Sequence, residues 1–237
     1  MTRHTSNWKP PRPTRFHRRK LYLRHLLVKM LFVRRGFALQ TLGNRDNGCS
    51  WDICPDGLNK DSVVYSGGVG NDVSFERLLV EQFGCAVHLF DPSPTGVKTM
   101  QLPENLNPQF RFSPVGLSGE NGTLRFAPPL FSDEGSWYSN SDRATIEVPC
   151  RDLTTLLKEN SHLRIDLLKL DIEGAEYGVI NHLLDQKLNV RQILVEYHHD
   201  LLPGYQLRDA IKSGARLMRA GYKLLAEVGN NYTFFKP

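Results

Sequence analysis

The sequence predicts an α/β domain built on a mostly parallel, doubly wound sheet that closes with an antiparallel hairpin. Three observations lead there. Short, nearly continuous apolar runs alternate with helical patterns after residue 60, and strands of that continuity belong to sheets covered on both faces. One run enters a glycine-rich turn that opens directly onto a helix, the strand–turn–helix order of doubly wound folds. The last two runs, 222–228 and 232–236, flank Gly229-Asn230-Asn231, a tight-turn sequence suited to a hairpin.

The chain opens on a basic arm. Residues 1–36 hold 11 Lys and Arg and no Asp or Glu, while the rest holds 19 basic against 25 acidic residues, so the net charge of +5 conceals an acidic body. Lys9-Pro10-Pro11-Arg12-Pro13 resists regular structure. Residues 19–35 follow, with Leu23, Leu26, Leu27, Met30 and Leu31 at amphipathic helical spacing. Arg24 and Lys29 interrupt that run, which is too short and too charged to span a bilayer or act as a secretory signal. Residues 1–45 therefore read as an arm, helical or disordered, open to peripheral contact with a membrane surface or RNA or simply solvated. Residues 46–237 read as the folded domain. Cys49, Cys54, Cys85 and Cys150 form neither a CxxC pair nor a zinc-like quartet. Cytoplasmic thiols are the simplest expectation, with a Cys49–Cys54 bridge left open.

A Gly/Asn-rich link at 43–48 leads into the domain. Strands are expected at 63–65, 87–90, 111–115, 167–170 and 193–196, and helices at 75–83, 152–160, 175–186 and 207–220. Phe75, Leu78, Leu79 and Phe83 share one face of the first helix. Residues 127–142, with Pro128-Pro129 and Trp137-Tyr138, fit no element. So long a loop in a compact domain is either disordered or a flap over a substrate.

The chemistry concentrates at the strand exits. Val63-Val64-Tyr65-Ser66-Gly67-Gly68-Val69-Gly70-Asn71-Asp72 runs from a strand through a glycine turn to a helix N-terminus. Such a turn lets the backbone approach a ligand and offers unpaired N–H groups to an anion. Asp91, before Pro92, ends the next strand 21 residues after Gly70, where a carboxylate receives both hydroxyls of a ribose. A dinucleotide requires a third glycine, but Val73 stands in its place. S-adenosylmethionine has a ribose and no phosphate, and its methionyl amino and carboxylate groups suit Asp72 and the turn's N–H groups. On this reading Asp91→Ala weakens cofactor binding and leaves the protein folded. Asp171 and Glu173 follow the strand at 167–170, and Glu196 and His198 end the next, at the edge where open α/β sheets bind ligands. For Glu173, capping of the following helix is an equal alternative.

The segments IDLLKLDIEGAE at 165–176, QILVEYH at 192–198 and VGLSGENG at 115–122 resemble the FkbM family of S-adenosylmethionine-dependent methyltransferases. The resemblance covers about residues 60–200. It implies a Rossmann-like class I methyltransferase fold, S-adenosylmethionine as cofactor, and O-methylation of a sugar, lipid or small metabolite. It also places Gly116 and Leu117 at the cofactor, beside Ser66, Gly67, Gly68, Gly70, Asn71, Asp72, Asp91, Pro92 and Asp171. The first motif departs from the family form, because Ser66 stands where an acid precedes the glycines and Asp72 follows them.

The methyl group of a sulfonium is already activated, so alignment with the acceptor supplies most of the acceleration. A hydroxyl acceptor also needs a proton acceptor, for which Asp171, Glu196 and His198 are the candidates. A divalent cation on the same three residues is the less favoured variant, since their spacing does not require one. Two rivals differ in class: a nucleotide-dependent oxidoreductase, weakened by Val73 and the terminal hairpin, and a non-catalytic module whose arm contacts lipid or RNA. Nucleic acid is not the expected substrate, because the basic residues lie in the arm rather than among aromatics across the body.

Overall fold

Alternate residues of each central strand feed two separate cores, which is why those strands read as unbroken apolar runs. In the computed structural model, residues 32–46, 48–129, 137–139, 145–199 and 206–237 are described. The parallel strands are β3 (Val64–Gly67), β4 (Val87–Phe90), β5 (Phe110–Ser113), β10 (Ile165–Leu170) and β11 (Val190–Glu196). The chain ends in β12 (Lys223–Val228) and β13 (Asn231–Phe235), an antiparallel hairpin whose second strand pairs antiparallel with β11. The seven strands lie in the order β12-β13-β11-β10-β3-β4-β5. The reversal of winding falls at β3 and β10, where ligands of open sheets bind.

The helices are α1 (Ser74–Phe83), α2 (Pro94–Met100), α3 (Leu153–Glu159), α4 (Glu176–Asp185) and α5 (Leu207–Arg219). Tyr65, Leu168, Ile193 and Val195 join one core with Leu156, Ile180 and Leu217 of α3, α4 and α5. Val64, Leu167 and Leu194, facing the other way, join Phe75 and Leu79 of α1 and Trp51 in a second core.

Trp51 belongs to a hairpin of β1 (Gln40–Asn44) and β2 (Cys49–Ile53). The expected border between residues 45 and 46 falls inside this hairpin, and the first two residues of the expected link, Gly43 and Asn44, belong to β1. Gln192 fastens it to the sheet, accepting from the Cys54 amide at 2.7 Å and donating to the Cys54 carbonyl at 3.1 Å. Earlier still, the Arg34 amide bonds Leu224. Cys49 and Cys54 are not joined by a disulfide.

A second sheet follows β5. It comprises β6 (Gly116–Leu117), β7 (Gly122–Ala127), β8 (Tyr138–Ser139) and β9 (Ile146–Arg151), in the order β6-β9-β7-β8. Part of the expected flap thus becomes sheet, while 130–136 and 140–142 lie outside the described residues, as do the arm positions 1–31 with their amphipathic run. Among the described residues no helix is long and apolar enough to cross a membrane.

Candidate functional site

The three glycines of the turn after β3 have different reasons to be glycine. A side chain at Gly67 would lie 2.6 Å from a Leu117 methyl and 2.9 Å from Ile172. Gly68 has φ +86, and a Cβ there would run into the carbonyl of Asp171. Both glycines let the turn press against β6 and the exit of β10. Gly70, at φ +55, has no atom within 4 Å of the place a Cβ would take. Its backbone is therefore the part of the turn open to close approach.

Asp91, buried at 6% exposure, ties this turn to the end of β4. Its Oδ2 accepts the amides of Val69 (2.9 Å) and Gly70 (3.0 Å), and its Oδ1 accepts that of Ser93 (2.8 Å). A carboxylate offers about four acceptor positions. Three are used, so there is room for one ribose hydroxyl rather than the two expected. Thr99 of α2 donates to the Gly70 carbonyl at 2.7 Å and steadies the turn from the same side. Pro92 and Gly116 are neighbours here, a Cβ on Gly116 lying 3.5 Å from Pro92. Trp137 enters from the second sheet, its indole N–H donating to Thr95 in the first turn of α2 at 3.2 Å.

Beneath the turn lies a polar group that the sequence reading missed. Lys169, in mid-β10, is 5% exposed; it donates to the Gly68 carbonyl at 2.7 Å and lies 3.7 Å from Glu76 of α1 and 3.8 Å from Asp171. Its ammonium also stands 5.7 Å from the centre of the Trp51 ring. Burial disfavours its charge, but Glu76 and Asp171 outweigh that and hold it above its ordinary 10.5. Ser66, fully buried, donates to Glu76 at 2.5 Å. Its hydroxyl therefore faces this network rather than the crevice, and the acid absent before the glycines arrives here from α1. Asp72 accepts the Ser74 amide at 2.6 Å as it leads into α1, while Asn71 is exposed beside it.

The exits of β10 and β11 bring Asp171, Glu196 and His198 together. One ligand atom from each lies within 4.8 Å of the others. His198 is 5% exposed, with Nδ1 2.7 Å from Glu176 and Nε2 facing Glu173 (3.3 Å) and Asp171 (3.8 Å). Glu176, fully buried at the start of α4, accepts the amides of Ile172 (3.2 Å) and Gly174 (3.0 Å). Glu173 holds φ +52, an uncommon conformation that turns the chain between strand and helix. Burial opposes the imidazolium, yet Glu176, then Glu173 and Asp171, raise His198 well above its ordinary 6.5. Burial and the Asp171 carboxylate push Glu196 up to about 8. The carboxylate oxygens of Asp171 and Glu196 could take a proton from a hydroxyl, with the imidazole of His198 beside them; the Gly70 backbone and Asp91 could hold a nucleoside.

Over 188 residues the chain is 27% identical to probable methyltransferase-like protein 24 of Homo sapiens and 28% identical to that of Rattus norvegicus. The match takes in 75% of this chain and 45% of each relative, so the chain spans less than half the length of the curated relatives it matches. Among solved structures, the Methanococcus jannaschii fibrillarin pre-rRNA processing protein aligns at 10% identity and TM-score 0.42, over 76% of this chain and 68% of its own. The model of the methyltransferase FkbM domain matches residues 63–224. The chain belongs to the FkbM methyltransferase family.

Proposed function

We propose that the protein transfers a methyl group from S-adenosylmethionine to a hydroxyl of a sugar, lipid or small metabolite. One observation carries the reading: the open Gly70 backbone, Asp91 and the Asp171–Glu196–His198 group, from four separate strand exits, meet at the carboxyl edge of one parallel sheet. S-adenosylmethionine brings a methyl group already activated on a sulfonium. Asp91 would accept one ribose hydroxyl on Oδ1, and the glycine turn would admit the rest of the nucleoside beside Gly116 and Leu117. Asp171 borders both halves of the crevice, touching Lys169 on one side and His198 on the other. It would orient the acceptor hydroxyl, whose proton passes to the Asp171–Glu196–His198 group as its oxygen takes the methyl carbon. The methyl-transfer reading gains from the family match, and the hydroxyl acceptor from a proton-accepting group at the crevice.

Calorimetry with S-adenosylmethionine and S-adenosylhomocysteine tests the first half. Heats that saturate near one equivalent are expected; none from folded protein would end the proposal. Transfer of labelled methyl to pooled sugars, lipids and hydroxylated metabolites then identifies the acceptor class. The FkbM match and Val73 in the turn disfavour a nicotinamide dinucleotide, which should give no heat in the same experiment.

A further inference from the structure

The two sides of α5 differ in character. Ala210, Ser213, Gly214 and Leu217 are its buried residues, and a Cβ on Gly214 would lie 3.4 Å from the Phe234 ring of the sheet. At 3.6 residues per turn, Arg208, Lys212 and Arg219 fall within about 40° of one another on the opposite side, and all three are exposed. They make a straight row of cations about 16 Å long. Among the described residues, Arg208 stands 3.9 Å from its neighbour Asp209, while Lys212 and Arg219 belong to no ion pair. Arg216 lies to one flank and is paired with Asp185 at 2.7 Å. Ile211, 59% exposed, lies to the other. Surface helices commonly intersperse both signs, whereas this row carries one.

The basic surface continues past the helix. Lys236, also exposed, stands 5.5 Å from the centre of the Tyr222 ring, and Tyr222 belongs to the core beneath α5. Val33 packs against that same core and bridges Leu224 of β12. The segment ahead of Val33 is thus joined to the fold near the end of the row. Residues 1–36 hold 11 Lys and Arg and no acid, whereas acids outnumber bases in the rest of the chain. Such an asymmetry favours an anionic partner on this side.

We infer that the outer row of α5, with Lys236 and the basic segment before Val33, docks on the surface of a bilayer carrying anionic phospholipid. RNA is the other polyanion that meets such charge, but α5 has no aromatic side chain on which a base could stack. An exposed aliphatic Ile211 beside the row instead suits the boundary between headgroups and acyl chains. Each basic residue near an anionic bilayer strengthens binding about fivefold. The docking face does not depend on the methyl-transfer reading.

The test sediments the full chain with vesicles of phosphatidylcholine, alone or with about one-third phosphatidylserine, at about 0.15 M salt. Binding is expected to the mixed vesicles only, and to weaken as salt rises. Replacing Arg208, Lys212 and Arg219 together by Gln should weaken it about a hundredfold. Arg45, Arg77 and Lys98 are exposed on elements that feed the other core; replacing these three by Gln makes the same change of net charge and should weaken binding less than about threefold. All six positions are exposed, so both variants should keep the parent's circular dichroism. Equal binding to phosphatidylcholine alone, parent-like binding of the α5 variant, or equal losses in the two variants overturns the docking face. Displacement of the protein from the mixed vesicles by polyuridylate at equal charge would assign the surface to RNA and overturn it as well.

Discussion

Removing the Asp91 carboxylate should unfasten the glycine turn before it affects any ligand. In Asp91→Ala, the amides of Val69, Gly70 and Ser93, bonded at 2.9, 3.0 and 2.8 Å, lose their acceptor together. A hydrogen bond to a charged group contributes about 1.5–3 kcal/mol, and a buried N–H left unpaired costs about as much. The turn borders the crevice, so water can recover part of this, and the net loss should be about 3–5 kcal/mol. That is a large share of the roughly 5–15 kcal/mol that holds a domain folded. The sequence reading expected this variant to remain folded; a loss of this size would leave it much less stable, because the carboxylate serves its own chain three times over. Asp91→Asn is the milder probe. Its carbonyl can keep the Val69 and Gly70 amides, but its NH₂ then confronts the Ser93 amide, at a cost of about 1–3 kcal/mol. Urea unfolding followed by circular dichroism gives both values, and calorimetry with S-adenosylhomocysteine on the Asn variant should show about tenfold weaker binding. An Ala variant less than about 1 kcal/mol below the parent would refute the fastening role, and an Asn variant with undiminished affinity would refute the ribose contact.

Three further outcomes follow from the same geometry. Lys169→Met strands Glu76, 1% exposed, with Ser66 as its remaining close partner, and should cost about 3–5 kcal/mol; adding Glu76→Gln should restore much of it in a double-mutant cycle, and strict additivity would contradict the pair. Gly68→Ala forces a side chain into the Asp171 carbonyl and should fail to fold at 37 °C, whereas Gly70→Ala, with open space at φ +55, should lose only about 1–2 kcal/mol by thermal melting. Burial, then His162 and Arg111, push His88 down to about 4. The unfolded chain therefore binds the proton first, and stability should fall as pH drops from about 6.5 to about 4 and level off below. The loss should be about 1–2 kcal/mol after allowing for partial hydration, and a His88→Phe variant with the same pH slope would refute it.

What the sequence made legible was whatever repeats locally. The runs around Val64, Leu89, Leu168 and Leu194 are continuous because each strand supplies two cores. The chemistry at their ends could be located for the same reason: a strand end is a local event, and Glu196 closes its strand while Asp91, Asp171 and His198 sit just past theirs. The β1–β2 hairpin escaped because Leu42, Trp51 and Ile53 are its buried residues among ten, too few to show alternation. Helix α2 escaped through shortness, although Ser93 as N-cap and Pro94 after it are recognised start signals.

The partners of buried charge could not be read in the same way, and the reason is physical. Lys169 inside Leu167-Leu168-Lys169-Leu170 announces that something must neutralise it, since an unpaired ammonium in that strand would cost more than the fold could bear. Nothing local says that the answer comes from Glu76 on a helix that packs there only after the sheet has formed. His198 poses the same problem twice: its own strand places it, but Glu176 decides which nitrogen faces the crevice. A charge inside an apolar run thus reveals the existence of a tertiary partner but not its identity. The glycines carry the complementary lesson, because the letters of Gly67, Gly68 and Gly70 are alike while two are fixed by Leu117, Ile172 and Asp171 and one is left open. Only the packed neighbours separate a glycine required by the fold from one available to a ligand, so the crevice is defined as much by what fills Gly67 and Gly68 as by what leaves Gly70 bare.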